Sequence, residues 1–432
     1  MNALQQLRTK RRETPQDYRV ESPRSLPEFR AYAPRPGDPD WPRLAAEAHA
    51  LATELLPKLE RPESSGAALR RRAASYRTAA KNFLENRRRT REGREDLLPL
   101  YFIWTMLRAC NFTCTYCDDH QGKKYPELPA AGALDTERGK RLLEVMRTGT
   151  PSVYFAGGEP TARKDLPELT RAARDLQYFP ILVNTNGSLV ARQLARPEWR
   201  TWLADTDVVI VSLDGLDLSR LGRLWVTDAP HDVLRNLLLL RELAAPMHFK
   251  LMVNCVIEPG HIAEADAVLD LANDLGIWFA PVPMNVGPKI AGGLRDDPTY
   301  AAFCEKVLAR KREGHRIVGS ERLNTRLLGS APLDCRNTLK PHVDFDGKLA
   351  WPCKASVNVT PERVDVLAFD DLDALYAHAR SLVEPTRFHG PAKNQCGAEC
   401  NWAQNYTTDA YAHGLRKPWT LVSEIVDVVR AR

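Results

Sequence analysis

The chain has 432 residues, 44% of them hydrophobic, which is enough for a large core and for two or three domains. No apolar run approaches the roughly 18 to 20 residues that span a bilayer, and the opening MNALQQLRTKRRE lacks the apolar core of a signal peptide, so a cytoplasmic location is expected. The net charge of +6 is uneven: residues 1 to 98 hold 21 Lys and Arg against 14 Asp and Glu, and the rest of the chain is near neutral.

Residues 1 to about 42 are polar, basic and rich in proline (Pro23, Pro27, Pro34, Pro36, Pro39, Pro42), a composition that disfavours regular structure and suggests an extended arm. From Trp41 to Leu59, Leu44, Ala48, Leu51 and Leu55 recur at helical spacing and predict an amphipathic helix. A second helix is expected from Ala67 to about Arg89, with three consecutive arginines at 70 to 72 and again at 87 to 89. A solvated face is the preferred reading of these arginines over an electrostatic contact with nucleic acid, anionic lipid or an acidic partner, because no aromatic residues interleave as a single-strand binder would need.

From residue 100, strands and helices alternate. Strands are expected at Tyr101 to Met106, Ser152 to Phe155, Ile181 to Asn184, Val208 to Ser212, Phe249 to Ile257 and Ile277 to Val282. The helices between them are expected at Thr136 to Arg147, Asp165 to Leu176, within Leu189 to Leu203, at His231 to Ala244 and at Ile262 to Leu275, with Tyr300 to Arg312 closing the last unit. Such alternation predicts an α/β fold with a parallel sheet, in which functional residues gather at the carboxyl ends of the strands.

Just past the first strand lies CNFTCTYC, where Cys110, Cys114 and Cys117 fall within eight residues. Thiolates this close can converge on one soft metal centre, either three corners of a cubane cluster that leave one iron open or, with His120, a zinc site. AGGEP (Ala156 to Pro160) follows the second strand, with two glycines that allow close backbone approach and the carboxylate of Glu159. NTNG (Asn184 to Gly187) follows the third and reads as a sharp turn. SLDG follows the fourth and sets Ser212 and Asp214 on one face of an extended strand end, an arrangement that suits a ribose diol. On the fifth strand Asn254 shares a face with Val256, opposite Cys255. No catalytic acid or base is singled out among Asp118, Asp119, His120 and Glu258.

Beyond residue 330 the alternation stops and Cys335, Cys353, Cys396 and Cys400 appear. DFDGKLAWPC reads as a hairpin turning at Asp346 and Gly347, which returns Cys353 toward Cys335. Four thiolates can complete a second cluster with no open iron, or a zinc site. Trp419 to Val429 is expected to be a packing helix.

The order of strand, CNFTCTYC, helix, strand, AGGEP and later SLDG resembles the radical S-adenosylmethionine (SAM) superfamily, and the C-terminal cysteines resemble its SPASM and twitch extensions. The resemblance implies a partial, six-stranded TIM-like barrel. It also implies a [4Fe-4S] cluster on Cys110, Cys114 and Cys117, with SAM held by Gly157, Gly158, Glu159, Ser212 and Asp214 and cleaved to a 5'-deoxyadenosyl radical. With its strand face turned into the barrel, Asn254 would touch SAM or substrate. Cys335, Cys353, Cys396 and Cys400 would hold one auxiliary [4Fe-4S] cluster. The implied partners are a flavodoxin or ferredoxin as electron donor and a peptide or small-molecule substrate, with nucleic acid not expected. The corresponding divisions are a basic extension at 1–98, a core at 99–315, an auxiliary cluster domain at 316–415 and a terminal helix at 416–432. The competing reading is a non-catalytic, zinc-stabilised protein that binds nucleic acid, which leaves the placement of AGGEP and SLDG unexplained.

Overall fold

Residues 39–117, 132–287, 289–354, 362–385 and 400–420 are described by a computed structural model. Two helices, α1 (Trp41–Leu55) and α2 (Ser65–Arg91), precede the sheet. Then come β1 (Phe102–Thr105), α3 (Thr136–Arg147), β2 (Val153–Ala156), α4 (Leu166–Asp175), β3 (Ile181–Thr185), α5 (Val190–Leu194) and β4 (Val208–Ser212). The series continues through α6 (Leu218–Trp225), α7 (Pro230–Ala244), β5 (Lys250–Ile257), α8 (Ile262–Leu275), β6 (Trp278–Pro283), the short hairpin β7 (Asn285–Val286) and β8 (Lys289–Ile290), and α9 (Pro298–Arg312). Strands β1 to β6 pair in sequence order, each parallel to the next, giving the wall of a TIM-like α/β barrel.

Helix α1 ends at Leu55, four residues before the expected Leu59, and a 3-10 turn follows at Leu56–Lys58. Most of the other expected elements recur within a residue or two, and α3, β4 and α8 match the expectation at both ends. Local chemistry explains their limits: Asp135 caps α3 by accepting from Arg138 N at 2.8 Å, and α8 stops at Gly276, whose φ of +63° a side chain would resist. The helix expected within Leu189 to Leu203 is the short α5, followed by two 3-10 turns, the first of which opens at Pro197.

Side chains alternate along the strands. On β5, Leu251, Val253, Cys255 and Ile257 are buried, whereas Met252, Asn254 and Val256 are half-buried on the other face. The same alternation on β2, β3 and β6 places a half-buried row, including Asn184 and Ala280, on the concave side of the wall.

After α10 (Glu321–Leu328), the chain adds β9 (His342–Val343), β10 (Lys348–Trp351) and β11 (Glu362–Asp365), followed by α11 (Leu372–Leu382) and α12 (Tyr406–Arg416). The hairpin turns at Gly347, φ +81°, whose N–H donates to Asp344 O at 2.9 Å. Strand β9 pairs in parallel with β1, Ile103 opposite His342, so the sheet runs unbroken as β11-β10-β9-β1-β2-β3-β4-β5-β6. The C-terminal hairpin thus extends the barrel wall and shares its apolar core through Val343, Leu349 and Trp351. The terminal helix expected at Trp419 to Val429 falls outside the described residues after Thr420.

Helix α2 buries polar side chains: Arg71, Ser75, Asn82, Asn86 and Arg89. The reason is its position across the amino ends of β1 to β4, where backbone carbonyls of the incoming loops need donors. The Ser75 hydroxyl lies 2.9 Å from Pro151 O and 2.7 Å from Gln177 O, and the Asn82 amide donates to Pro99 O and Gly149 O. The Asn86 side chain exchanges two hydrogen bonds with the backbone of Leu98. Arg71 donates to Tyr178 O at 2.8 Å and pairs with Glu63 and Asp207, while Arg89 pairs with Glu85 and Asp96. The expectation of a solvated arginine face is therefore corrected at Arg71 and Arg89, which clamp the helix to the barrel floor.

Arg71→Met leaves the largely buried Asp207 and Glu63 carboxylates without their guanidinium. A loss of about 3 kcal/mol of unfolding free energy is expected, because breaking a buried pair strands a charge. Urea denaturation checks this; an unchanged midpoint would mean that α2 is not held through Arg71.

Candidate active site

The cysteine loop leaves the carboxyl end of β1, the end of a parallel sheet where loops are free to carry chemistry. Its three thiols sense one another electrostatically: Cys110 lies within the field of Cys117, and Cys114 within those of Cys117 and Cys110. Burial, the largest influence on each, pushes the Cys110 and Cys114 thiols up, and they would ionise on meeting a metal. Among the described residues no three His, Cys, Asp or Glu side chains are drawn tightly enough together to hold a metal ion. What fits an iron-sulfur cluster is the donor chemistry, three soft thiols on one short loop.

The loop is fastened from three sides. Thr113 N donates to Trp225 O at 3.2 Å and Thr115 N to Leu224 O at 2.9 Å, so the last carbonyls of α6 take up loop amides. Phe112 stacks on Trp225, with centroids 5.7 Å apart and 20° between planes. The turn after β3 closes the second side: Asn186 Nδ2 donates to Asn111 Oδ1 at 2.9 Å and stands 3.9 Å from Cys110 Sγ, and Asn111 donates to Ser188 Oγ at 2.9 Å.

AGGEP closes the third side through its backbone. Gly158 N donates to Leu107 O at 2.8 Å and Glu159 N to Ala109 O at 3.0 Å. A Cβ on Gly157 would sit 2.6 Å from Leu107 O, and one on Gly158 would sit 2.1 Å from Ala109 O. The two glycines, read from sequence as room for a ligand, therefore also provide room for the cysteine loop.

Both carboxylates singled out in the sequence are buried and hydrogen-bonded within the protein. Glu159 accepts from Thr161 N at 2.9 Å, Thr161 Oγ1 at 2.5 Å, Thr185 Oγ1 at 2.6 Å and Asn186 N at 2.6 Å. Asp214 accepts from Tyr116 OH at 2.5 Å, Trp225 Nε1 at 2.8 Å and Val256 N at 2.9 Å, tying the cysteine loop to α6 and β5. Burial raises both carboxyls above the usual range against these donors. Asp214 is thus the post on which the loop hangs. By contrast, Ser212 and Asn254 face each other across β4 and β5 in register, half-buried on the concave side.

Of the remaining candidates, Glu258 is engaged in an ion pair with Arg220, whose guanidinium also donates to Asp214 O at 3.2 Å. Asp118, Asp119 and His120 lie outside the described residues. The sequence reading missed α6 altogether, although Asp217, which caps it by accepting from Arg220 N at 3.0 Å, and the apolar Leu218, Leu221 and Trp225 were its signal.

Helix α6 ends at Val226 in the left-handed region, φ +52°, a costly conformation for a β-branched residue. Val226→Gly is expected to raise stability by about 1 kcal/mol, strain relief outweighing the added freedom of the unfolded chain. Thermal unfolding checks it, and a fall in midpoint would show that the Val226 side chain contributes packing that outweighs its strain.

At the C-terminal cysteines, Cys335, Cys353 and Cys400 are all buried. Cys353 and Cys400 pack with Trp402, and the Cys335 thiol donates to Asn337 Oδ1 at 2.9 Å and accepts from Asn405 Nδ2 at 3.5 Å. Asn337, Asn405, Cys353 and Trp402 line one small cavity, joined by Lys340, His342 and Lys354. Cys396 lies outside the described residues. Of the described thiols Cys353 alone lines that cavity; Cys335 reaches its edge through Asn337 and Asn405, and Cys400 through Cys353 and Trp402. As soft thiols they fit an iron-sulfur group by donor type only.

Residues 104–272 match the family model of the Radical SAM superfamily. The Fe-coproporphyrin III synthase of Methanosarcina barkeri is 39% identical over 115 residues, covering 26% of this chain and 27% of that protein. The mycofactocin maturase MftC of Mycobacterium tuberculosis is 31% identical over 181 residues, covering 41% and 43%. The chain therefore spans less than half the length of each of these curated relatives. The solved structure of tagged anSMEcpe with bound AdoMet superposes with a TM-score of 0.50 at 15% identity, covering 75% of this chain and 98% of that one, which shows a shared fold. No helix among the described residues is long and apolar enough to cross a membrane.

Proposed function

We propose, from the radical SAM domain at residues 104–272, that this chain is a SAM-cleaving enzyme whose catalytic [4Fe-4S] cluster is held by Cys110, Cys114 and Cys117. When bound, that cluster supplies the electron that splits SAM and yields a 5'-deoxyadenosyl radical able to take a hydrogen atom from substrate. The observation that carries the reading is the placement of Cys110, Cys114 and Cys117 on one short loop at the carboxyl end of β1, inside the matched segment. The chain's own residues then divide the work.

Asp214, Trp225 and the turn at Asn186 hold the loop still, so that the thiols keep their spacing. Ser212 and Asn254, paired across the sheet, offer a hydroxyl and an amide to the SAM ribose and its neighbours. Gly157, Gly158 and Glu159 offer backbone groups to the SAM amino end, with the Glu159 carboxylate acting as the brace beneath them. Cys335, Cys353, Cys396 and Cys400 hold one auxiliary cluster. The substrate is a peptide side chain or a small molecule reaching the concave face, and a flavodoxin or ferredoxin supplies electrons.

The test is anaerobic reconstitution with iron and sulfide counting on the parent and on a Cys110→Ala/Cys114→Ala/Cys117→Ala variant. About eight irons in the parent and about four in the variant are expected for two cubane clusters. Reductive release of 5'-deoxyadenosine is expected from the parent alone. Zinc in place of iron, with SAM left intact, would sink the reading.

A further inference from the structure

The face of α2 turned away from the barrel has a composition that the barrel does not explain. Leu69, Tyr76 and Leu84 are 68%, 60% and 67% exposed, so several of the large apolar side chains exposed among the described residues stand on one helix. At 100° per residue they fall within a stripe of about 80°, opposite the buried Arg71, Ser75, Asn82, Asn86 and Arg89. Arg70, Arg77 and Lys81 flank the stripe, and no Asp or Glu occurs between Ser65 and Leu84. Among the described residues no carboxylate is paired with any of these three cations, whereas the inward Arg71 holds two acids and Arg89 three. The helix is 27 residues long, about 40 Å, and its polar clamps fix this face in one orientation.

We propose that the outward face of α2 rests on an anionic lipid surface, its cations among the headgroups and Leu69 and Leu84 at the acyl boundary. Charge selects among occupants. Residues 1 to 38 hold 8 Lys and Arg against 5 Asp and Glu, so the chain's own arm is mismatched to a cationic face. A second copy would set like charge against like across a two-fold axis. Nucleic acid would meet the cations, but protruding leucines give bases nothing to stack on, and the Tyr76 ring already meets Phe179 edge to face, centroids 5.8 Å apart. Interleaved leucine and arginine on one rigid helix is the pattern of an interfacial helix, and a single such face gives weak, reversible, salt-sensitive attachment. With the cysteine loop at the opposite ends of the strands, the attachment leaves the active-site mouth pointing away from the bilayer.

The test is co-sedimentation of the full chain with vesicles of phosphatidylcholine alone or with about a third phosphatidylglycerol, at about 0.1 M and 0.5 M salt. Partitioning at least about tenfold higher on the anionic vesicles and several-fold weaker in high salt is expected. A Leu69→Glu/Leu84→Glu variant should lose that partitioning with an unchanged thermal midpoint, since both side chains are exposed. An Arg70→Gln/Arg77→Gln/Lys81→Gln variant, which keeps the leucines, should lose it as well. Equal binding to neutral vesicles, no binding to either, or preferential capture by a DNA duplex in the same buffer would overturn the proposal. None of these outcomes depends on iron loading, so the proposal and the enzymatic reading stand or fall separately.

Discussion

Gly158→Ala is expected to cost about 3 kcal/mol or more and to cut the iron bound on reconstitution by about half. The added Cβ would lie 2.1 Å from Ala109 O, 2.5 Å from its carbonyl carbon and 2.7 Å from Arg108 O. All three are backbone atoms of the segment that leads into Cys110, so no side chain can turn aside to accommodate it. Either AGGEP or the cysteine loop must move, and the bonds from Gly158 N to Leu107 O and Glu159 N to Ala109 O would be lost with it. The C-terminal cysteines are far from this contact in the chain and should keep their iron. Gly292→Ala serves as the control, because nothing lies within 4 Å of its Cβ position. Urea denaturation and iron counting read both effects, and a Gly158→Ala protein with full iron and parental stability would mean that the loop is not seated against AGGEP.

Asp214→Ala should be comparably harmful, at about 3 kcal/mol, since it leaves the Tyr116 hydroxyl, the Trp225 indole N–H and Val256 N without their acceptor in a buried site. Asp214→Asn keeps one carbonyl oxygen and should fall between the two. The pH dependence gives a second readout. Burial raises the folded-state carboxyl of Asp214, so the stability linked to its protonation is present below the ordinary aspartate range and is lost as pH rises through the folded value. Asn cannot ionise, and the variant should therefore show less decline across that interval. If Asp214→Ala instead unfolds at the parental urea concentration while only SAM binding weakens, the carboxylate belongs to the ribose site and not to the loop.

The two carboxylates mark the limit of what a linear pattern conveys. Residue type and spacing placed Glu159 and Asp214 at strand ends beside the cysteine loop, and both are there. Their partners, Thr185 and Asn186 for one and Tyr116, Trp225 and Val256 for the other, come from other loops and strands, and no local pattern pairs them. Helix α2 teaches the same lesson from the opposite side. Its arginines read as surface because arginine is rarely buried, yet Arg71 is enclosed by Glu63, Asp207 and a carbonyl gathered from three separate segments.

The sequence by itself determined the order of the strands β1 to β6 and of the helices between them apart from α6, most of those elements' limits, and the clustering of thiols after β1. These depend on periodicity, caps and turn residues, which act over a few positions. Tertiary structure alone decided that β9 would pair with β1 and continue the barrel wall, that α2 would close the barrel floor with a polar face, and that Asp214 would anchor the loop. Each of these depends on backbone groups and charges left unsatisfied in distant segments, whose partners are chosen only when the chain has folded.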